Sequence, residues 1–379
     1  RTGTIEMVNE KIPFFRADHV GSLLRPAELL NAREKWKSDI LSSTKLRETE
    51  NKAIAQVVKA QENIGLRAIT DGEFRRENWW IDFISQIPGI EIAEPDRAAE
   101  FKTDGGLGSG YAPKVVKTVE KIRHERCIAG RDYGFLASKT SEIPKVTIPS
   151  PTRIHFHGGR GVVSPEVYPD LEEFWSDIAK FYQQEIAALE NLGCRYIQID
   201  DPVLTYFLDD RMRDYLVNIG ENPDTLINDY AKLINACVSR RQPDTHLSMH
   251  LCRGNAASSW VVSGGYAKLA PFIFPVVDVD TFFLEYDDER SGDFAPLKHM
   301  PSEKNVVLGL VTTKRGDLET SDHLKRRVEE AIDYVPLEKL ALSPQCGFAS
   351  VDIGNKIDFD AQIAKLELVV RTAEEIWGE

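Results

Sequence analysis

Short apolar runs alternate with longer amphipathic stretches along most of the chain. Eight runs are rich in β-branched and aromatic residues and stop at turn residues, a pattern typical of buried strands. The predicted strands span residues 14–21, 66–71, 146–156, 196–200, 246–251, 276–284, 306–311 and 340–342. Apolar residues spaced three and four apart predict helices at 26–64, 171–192, 223–239, 321–334 and 359–376. Asp170 and Asp224 stand where helix N-caps are expected.

This alternation predicts an α/β fold, specifically a (β/α)8 TIM barrel that takes up residues 1–379 as a single domain. A doubly wound open sheet is the alternative. Residues 87–143 do not fit the repeat, so we expect an inserted excursion after the second strand. Its glycine-rich stretch at 105–110 is interpreted as a flexible tip, because it neither follows a strand nor opens a helix as a phosphate-binding loop does. Residues 115–122 are predicted to form a hairpin arm.

The composition narrows the kind of partner. A formal net charge of -13 repels phosphate backbones and anionic lipid surfaces, so we expect no nucleic acid and no membrane as partners. The five cysteines are scattered along 379 residues and do not resemble a disulfide framework, which favours a reducing cytoplasm. Homo-oligomerisation stays open at this stage.

Thiols and an imidazole occur at the ends of predicted strands. His250 and Cys252 are two residues apart, so their side chains share one face of a strand. Cys346 follows the last predicted strand. Glu285 directly follows the predicted strand at 276–284 and precedes an acidic cluster. One nitrogen, two sulfurs and one oxygen form a set that Zn²⁺ accepts. The alternatives are an ordinary buried cysteine and a solvated acidic loop.

Other polar side chains stand at further strand ends. Ser22 follows the first predicted strand, Glu73 the second and Asp200 the fourth. Catalytic groups in such barrels collect at the carboxyl ends of the strands, so these positions are candidates for one common site. Each also has a structural alternative as a cap, a turn residue or an ordinary strand exit.

In order and position these segments resemble the catalytic carboxy-terminal barrel of cobalamin-independent methionine synthase and its short single-barrel relatives. The resemblance runs almost the full length of the chain. The matching segments are Asp18-His19-Val20-Gly21-Ser22, Asp71-Gly72-Glu73-Phe74, Gln198-Ile199-Asp200-Asp201-Pro202, His250-Leu251-Cys252, Leu284-Glu285 and Pro344-Gln345-Cys346-Gly347.

The resemblance implies a zinc-dependent methyltransferase that acts on the thiol of homocysteine or a similar small thiol. It implies zinc ligation by four residues: His250, Cys252, Glu285 and Cys346. It also implies that Ser22 contacts the substrate carboxylate, while Glu73 and Asp200 contact the ammonium group. The alternatives are a transferase for another thiol, such as coenzyme M, and a non-catalytic zinc-binding barrel.

The sequence departs from the family pattern in two places. The methyl donor can therefore be either methyl-tetrahydrofolate or a methyl-corrinoid protein. The Tyr-Asp-Ile-His segment of the family, whose histidine is a candidate proton donor, is replaced here by residues 311–314, and Lys314 is the candidate acid in its place. The tryptophan that stacks on the pterin in the family corresponds to His157, a candidate substrate-binding residue. His155 is an alternative acid, and Trp79 and Trp80 offer another aromatic surface.

Overall fold

The computed structural model describes residues 11–94 and 114–378, and parallel strands form its centre. In chain order the strands are β1 (Ala68–Ile69), β2 (Ile90–Ala93), β3 (Val115–Thr118), β4 (Ile143–Pro149), β5 (Tyr196–Asp200), β6 (His246–Leu251), β7 (Thr281–Glu285), β8 (Asn305–Val311) and β9 (Leu340–Pro344). Seven of them form one parallel sheet in the order β1-β4-β5-β6-β7-β8-β9. Because this order never reverses, the sheet has no switch point, and the doubly wound alternative is wrong.

The predicted first strand, residues 14–21, is not a regular strand. It makes a single parallel bridge between Ala17 and Leu342 of β9. On its other side, the Thr70 hydroxyl after β1 donates to the carbonyl of Gly21 at 2.7 Å. The segment therefore lies between the last and first strands of the sheet and occupies the eighth position, which gives the predicted (β/α)8 barrel.

In this segment, side-chain hydrogen bonds take the place of most backbone hydrogen bonds that a regular strand would make. The Asp18 carboxylate accepts the backbone N–H of His19 at 2.7 Å, the ammonium of Lys145 at 3.0 Å and the hydroxyl of Tyr196 at 2.6 Å. Lys145 and Tyr196 come from β4 and β5, so this buried group ties the eighth position to strands across the barrel interior. A backbone N–H that is bonded to a carboxylate cannot also extend a strand ladder.

Helices cover the outside of the sheet, as the 3.6-residue periodicity predicts. They are α1 (Ala27–Lys37), α2 (Ser43–Ile64), α3 (Ile81–Ile84), α4 (Gly130–Ala137), α5 (Arg153–Phe156), α6 (Leu171–Asn191), α7 (Val203–Tyr206), α8 (Asp210–Asn218), α9 (Pro223–Val238), α10 (Ala270–Ile273), α11 (Ser321–Ile332) and α12 (Phe359–Trp377). The predicted helix at 26–64 is two helices, because Asp39 adopts a φ of 57° and Ser42 caps a new start. None of the helices in the described ranges is long and apolar enough to cross a lipid bilayer.

The predicted excursion at 87–143 holds two kinds of element. Strands β2 and β3 pair antiparallel, so the predicted hairpin arm at 115–122 begins as a strand. Helix α4 then returns the chain to β4. The glycine-rich stretch at 105–110 lies outside the described residues.

The start of α6 is capped as predicted, and the start of α9 is not. The Asp170 side chain accepts the backbone N–H of Glu172 at 2.9 Å. In α9 the cap is Asn222, followed by Pro223, so the predicted cap Asp224 lies inside the first turn. Proline fits that first helical position because its missing N–H is not needed there.

Replacing Asp170 by alanine is expected to lower the free energy of unfolding by about 1 kcal/mol, because one N–H of α6 loses its acceptor. Urea denaturation followed by circular dichroism measures the change. Asp224→Ala is the matched control and should lower the free energy of unfolding by less. At the start of α9 the backbone N–H of residue 224 donates to Asn222 Oδ1, and this bond does not depend on the side chain of Asp224. An equal loss in both variants would contradict the assignment of the cap.

Candidate active site

The four predicted metal ligands converge at the carboxyl ends of three strands on the same side of the barrel, β6, β7 and β9. His250 lies in β6, Cys252 directly follows it, Glu285 ends β7, and Cys346 lies two residues beyond β9. One ligand atom from each lies within 4.8 Å of all the others. All four side chains are buried. Positions far apart in the chain thus form one compact cluster, because parallel strands end on the same rim of a barrel.

The chemistry of this cluster fits a zinc ion. Neither ring nitrogen of His250 has a nitrogen or oxygen partner among the described residues, although both are buried. Hydrogen bonding from Cys252, together with that from His250, outweighs burial and lowers the pKa of Cys346 to about 5. A thiol that readily becomes thiolate, an imidazole without a nitrogen or oxygen partner and a carboxylate are zinc ligands of the preferred types.

Glu285 is held from both sides. Its Oε2 lies 3.3 Å from Arg253 Nη1 and 3.8 Å from Arg290 Nη1, and its Oε1 accepts from Gln345 Nε2 at 3.2 Å. Burial alone would raise the pKa of Glu285, but the charges of Arg290 and Arg253 lower it. Sequence reasoning missed both arginines.

A cavity of about 970 Å³, including its open mouth, lies directly beside the cluster. Its walls contain three of the predicted metal ligands and all four residues predicted to bind substrate. These are His250, Cys252 and Cys346, with Ser22, Glu73, His157 and Asp200. Largely apolar walls around a few placed polar groups are typical of a small-molecule site.

Two buried acids face this cavity. Glu73 Oε1 accepts from the Thr147 hydroxyl at 2.7 Å and lies 3.4 Å from Arg76, whereas Glu73 Oε2 is buried and has no partner among the described residues. Asp200 accepts from Gln198 at 2.7 Å, and burial, with the nearby charge of Glu73, raises its pKa to about 7. Two desolvated carboxyl groups, of which Glu73 has a buried oxygen without a partner among the described residues, favour a bound cation.

The backbone at Glu73 is unusual for a residue with a side chain. Its φ is 60°, directly after Gly72 with a φ of 67°. A residue other than glycine rarely adopts this left-handed conformation and pays about 1–3 kcal/mol for it. The turn after β1 therefore directs the Glu73 carboxylate toward the cavity, and the backbone is strained as a result.

The two histidines named as alternatives differ in their surroundings. His157 lines the cavity, and burial lowers its pKa well below the ordinary value. His155 is not part of the lining and lies 3.0 Å from the Tyr230 hydroxyl. Burial, with the charge of Arg160, lowers the pKa of His155 to about 3. Both rings are neutral near pH 7.

Lys314 is not part of the cavity lining. Its ammonium donates to Asn255 Oδ1 at 3.2 Å and to the carbonyl of Ser259 at 3.4 Å. The geometry thus places every predicted site residue on the cavity wall except Glu285, which belongs to the metal cluster but not to the lining, and Lys314.

Aromatic side chains make up much of the remaining wall, and sequence reasoning found only part of them. The lining includes Trp79 and Trp80, which the sequence suggested, and Tyr206 and Trp260, which it did not. The guanidinium of Arg153 lies 3.6 Å from the ring centroid of Trp80. Arg153 therefore covers one face of Trp80, and the other aromatic side chains of the lining are Trp79, Tyr206 and Trp260.

Residues 157–375 match the family model described as the cobalamin-independent synthase catalytic domain. This match covers more than half of the chain and includes all four residues of the metal cluster. The chain belongs to this family of methionine synthase catalytic domains, and it is a methyltransferase. The resemblance drawn from the strand-end motifs is confirmed.

Individual relatives extend over nearly the whole chain. The uncharacterized protein YxjG of Bacillus subtilis is 41% identical over 373 residues, which is 98% of this chain and 97% of that protein. The methionine synthase of Pyrococcus abyssi is 25% identical and covers 90% of this chain and 88% of its own length. The crystal structure assigned as a vitamin-B12-independent methionine synthase from Listeria monocytogenes is 37% identical, with a TM-score of 0.78 over 98% of this chain and 100% of its own.

Proposed function

We propose that this protein transfers a methyl group to the thiol of homocysteine and that zinc is its metal. The observation that carries this proposal is one shared cavity. It places the thiol and imidazole groups of the metal cluster beside two buried acids, Glu73 and Asp200. A thiol-activating metal next to an ammonium pocket fits a substrate that is both a thiol and an amino acid.

Bound zinc would acidify a substrate thiol and present it as a thiolate at neutral pH. The remaining work falls to the chain itself. Glu73 and Asp200 hold the ammonium group, and the Ser22 hydroxyl donates to the carboxylate. The sulfur then forms its bond to the methyl carbon while the bond between that carbon and the donor breaks, and the electron pair leaves with the donor.

Glu73 and Asp200 also favour homocysteine over a thiol that carries a sulfonate group. A sulfonate such as that of coenzyme M would need cationic partners, but the cavity lining presents Glu73 and Asp200, and its Arg153 stacks on Trp80 and donates to the carbonyl of Lys114. Arg76 is already paired with Glu73 at 3.4 Å. An amino-acid thiol is therefore favoured over coenzyme M.

The methyl donor proposed is methyl-tetrahydrofolate, with a methyl-corrinoid protein as the alternative. The aromatic wall supports the folate, because a flat pterin can stack on indole and phenol rings. Transfer assays with methyl-tetrahydrofolate and with methylcobalamin, each with homocysteine and zinc-loaded protein, separate the two. Turnover with methylcobalamin alone would make the corrinoid the donor.

Adding homocysteine to zinc-loaded protein is expected to add one sulfur ligand in the zinc X-ray absorption spectrum. The reason is that Glu285, the oxygen ligand of the set, would yield its position to the incoming sulfur, whereas a structural site with four protein ligands stays closed. Homoserine, which has a hydroxyl in place of the thiol, is the control and should leave the sulfur count unchanged. An unchanged spectrum with homocysteine would rule out direct activation of the thiol by zinc.

A further inference from the structure

The loop at residues 253–264, called here the cover loop, forms one side of the cavity. It runs from the end of β6 to the turn that begins at Tyr266. Six of its residues line the cavity: Gly254, Asn255, Ala256, Ser259, Trp260 and Val261. Any movement of this loop therefore changes the shape of the substrate site.

The cover loop has a backbone that must be held by its surroundings. Ala257 has a φ of 47° and Ser258 a φ of 68°, both in the left-handed region that side chains disfavour. Ala256 and Ser259 close a tight turn around them. Such conformations persist only where neighbouring contacts determine them.

Lys314 supplies one of these contacts. It follows β8, and its half-buried ammonium reaches across to the cover loop. There it donates to Asn255 Oδ1 at 3.2 Å and to the carbonyl of Ser259 at 3.4 Å. The two acceptors lie before and after the strained pair, so a single cation fixes both sides of the turn.

Two asparagines complete the attachment on the side of β8 and β9. Asn255 Nδ2 donates to the carbonyl of Gly347 at 2.7 Å. Asn355 Oδ1 accepts the backbone N–H of Ser258 at 3.0 Å, and Asn355 Nδ2 donates to the carbonyl of Thr313 at 2.9 Å. The residue before Lys314 is thus part of the same attachment.

We propose that Lys314 is a positioning residue that holds the cover loop against the barrel rather than the acid that protonates the leaving group. Its ammonium contacts two loop oxygens and is not part of the cavity lining. Through the loop, Lys314 sets the position of Trp260, which faces the substrates. This inference rests on the proposed function only in taking the cavity as the substrate site.

Amide hydrogen exchange across residues 254–262 in zinc-loaded Lys314→Met tests the proposal. We expect exchange in this loop to become about tenfold faster or more, because a hydrogen bond from a charged donor is lost, with little change elsewhere. KM should rise more than kcat falls, and the shape of the kcat pH profile should be retained. Lys314→Arg, which keeps a cationic donor, should restore slow exchange.

Arg315→Met is the matched control, since it removes the neighbouring exposed cation, and it should leave both exchange and kinetics unchanged. Unchanged loop exchange in Lys314→Met, together with the loss of one limb of the pH profile, would overturn the proposal and establish Lys314 as the acid. The exchange measurement needs no turnover. It therefore decides the role of Lys314 even if the protein fails to methylate homocysteine, a result that would count against the proposed function alone.

Discussion

Serine in place of Cys252 or Cys346 is expected to remove stoichiometric zinc and to abolish methyl transfer, while the fold is kept. A serine hydroxyl stays protonated near pH 7 and is a poor zinc ligand, whereas a thiolate is a preferred one. The barrel should survive because an extensive apolar core around the sheet packs without the metal. Metal analysis, activity and circular dichroism of each variant provide the measurement.

Cys127→Ser is the matched control for this experiment. Cys127 is half-buried and contacts Glu185, away from the cavity. It should keep both zinc and activity. Full zinc retention in Cys252→Ser and Cys346→Ser would exclude these residues as ligands, and a collapsed spectrum would show that the metal is needed for folding.

The second large effect is expected at the ammonium pocket. Glu73→Gln and Asp200→Asn should each weaken homocysteine binding by about 1.5–3 kcal/mol, the usual contribution of a hydrogen bond to a charged group. Each substitution keeps the size of the side chain but removes a buried carboxyl group that would be negatively charged beside a bound ammonium. Zinc should remain bound. Isothermal titration of the zinc-loaded variants measures the change in affinity.

A thiol without the amino group provides the comparison within the same titrations, and its affinity should change little. Glu77→Gln is the control variant, because it also removes one negative charge but lies on the surface, paired with Lys37 at 2.8 Å. Equal losses for both thiols in Glu73→Gln and Asp200→Asn would mean that these acids do not recognise an ammonium group.

The placement of the site could be predicted because it depends on topology. Once His250, Glu285 and Cys346 are assigned to the ends of parallel strands, the barrel brings them to one rim whatever the packing between helices. The alternation of apolar runs was sufficient for that assignment. It also gave most of the long helices to within a few residues.

The features that could not be predicted from the sequence depend on contacts between side chains that are far apart in the chain. Residues 14–21 read as a strand, but the pairing of Asp18 with Lys145 from β4 replaces the ladder. In the same way, nothing near Glu285 in the pattern shows that Arg253 will contact it. The position of Lys314 matched that of the family's histidine, but the direction of its ammonium depends on the fold, which places Asn255 within its reach.

The strained turn at Glu73 has a consequence for attempts to make this protein more stable. Its φ of 60° is one that glycine or asparagine adopts at lower cost, so selection for thermal tolerance alone would favour those residues there. Such a variant would gain robustness and lose the carboxylate that faces the cavity. Directed evolution of this scaffold therefore needs a parallel selection for substrate binding. The residue with the strained backbone is also the one that substrate selectivity requires.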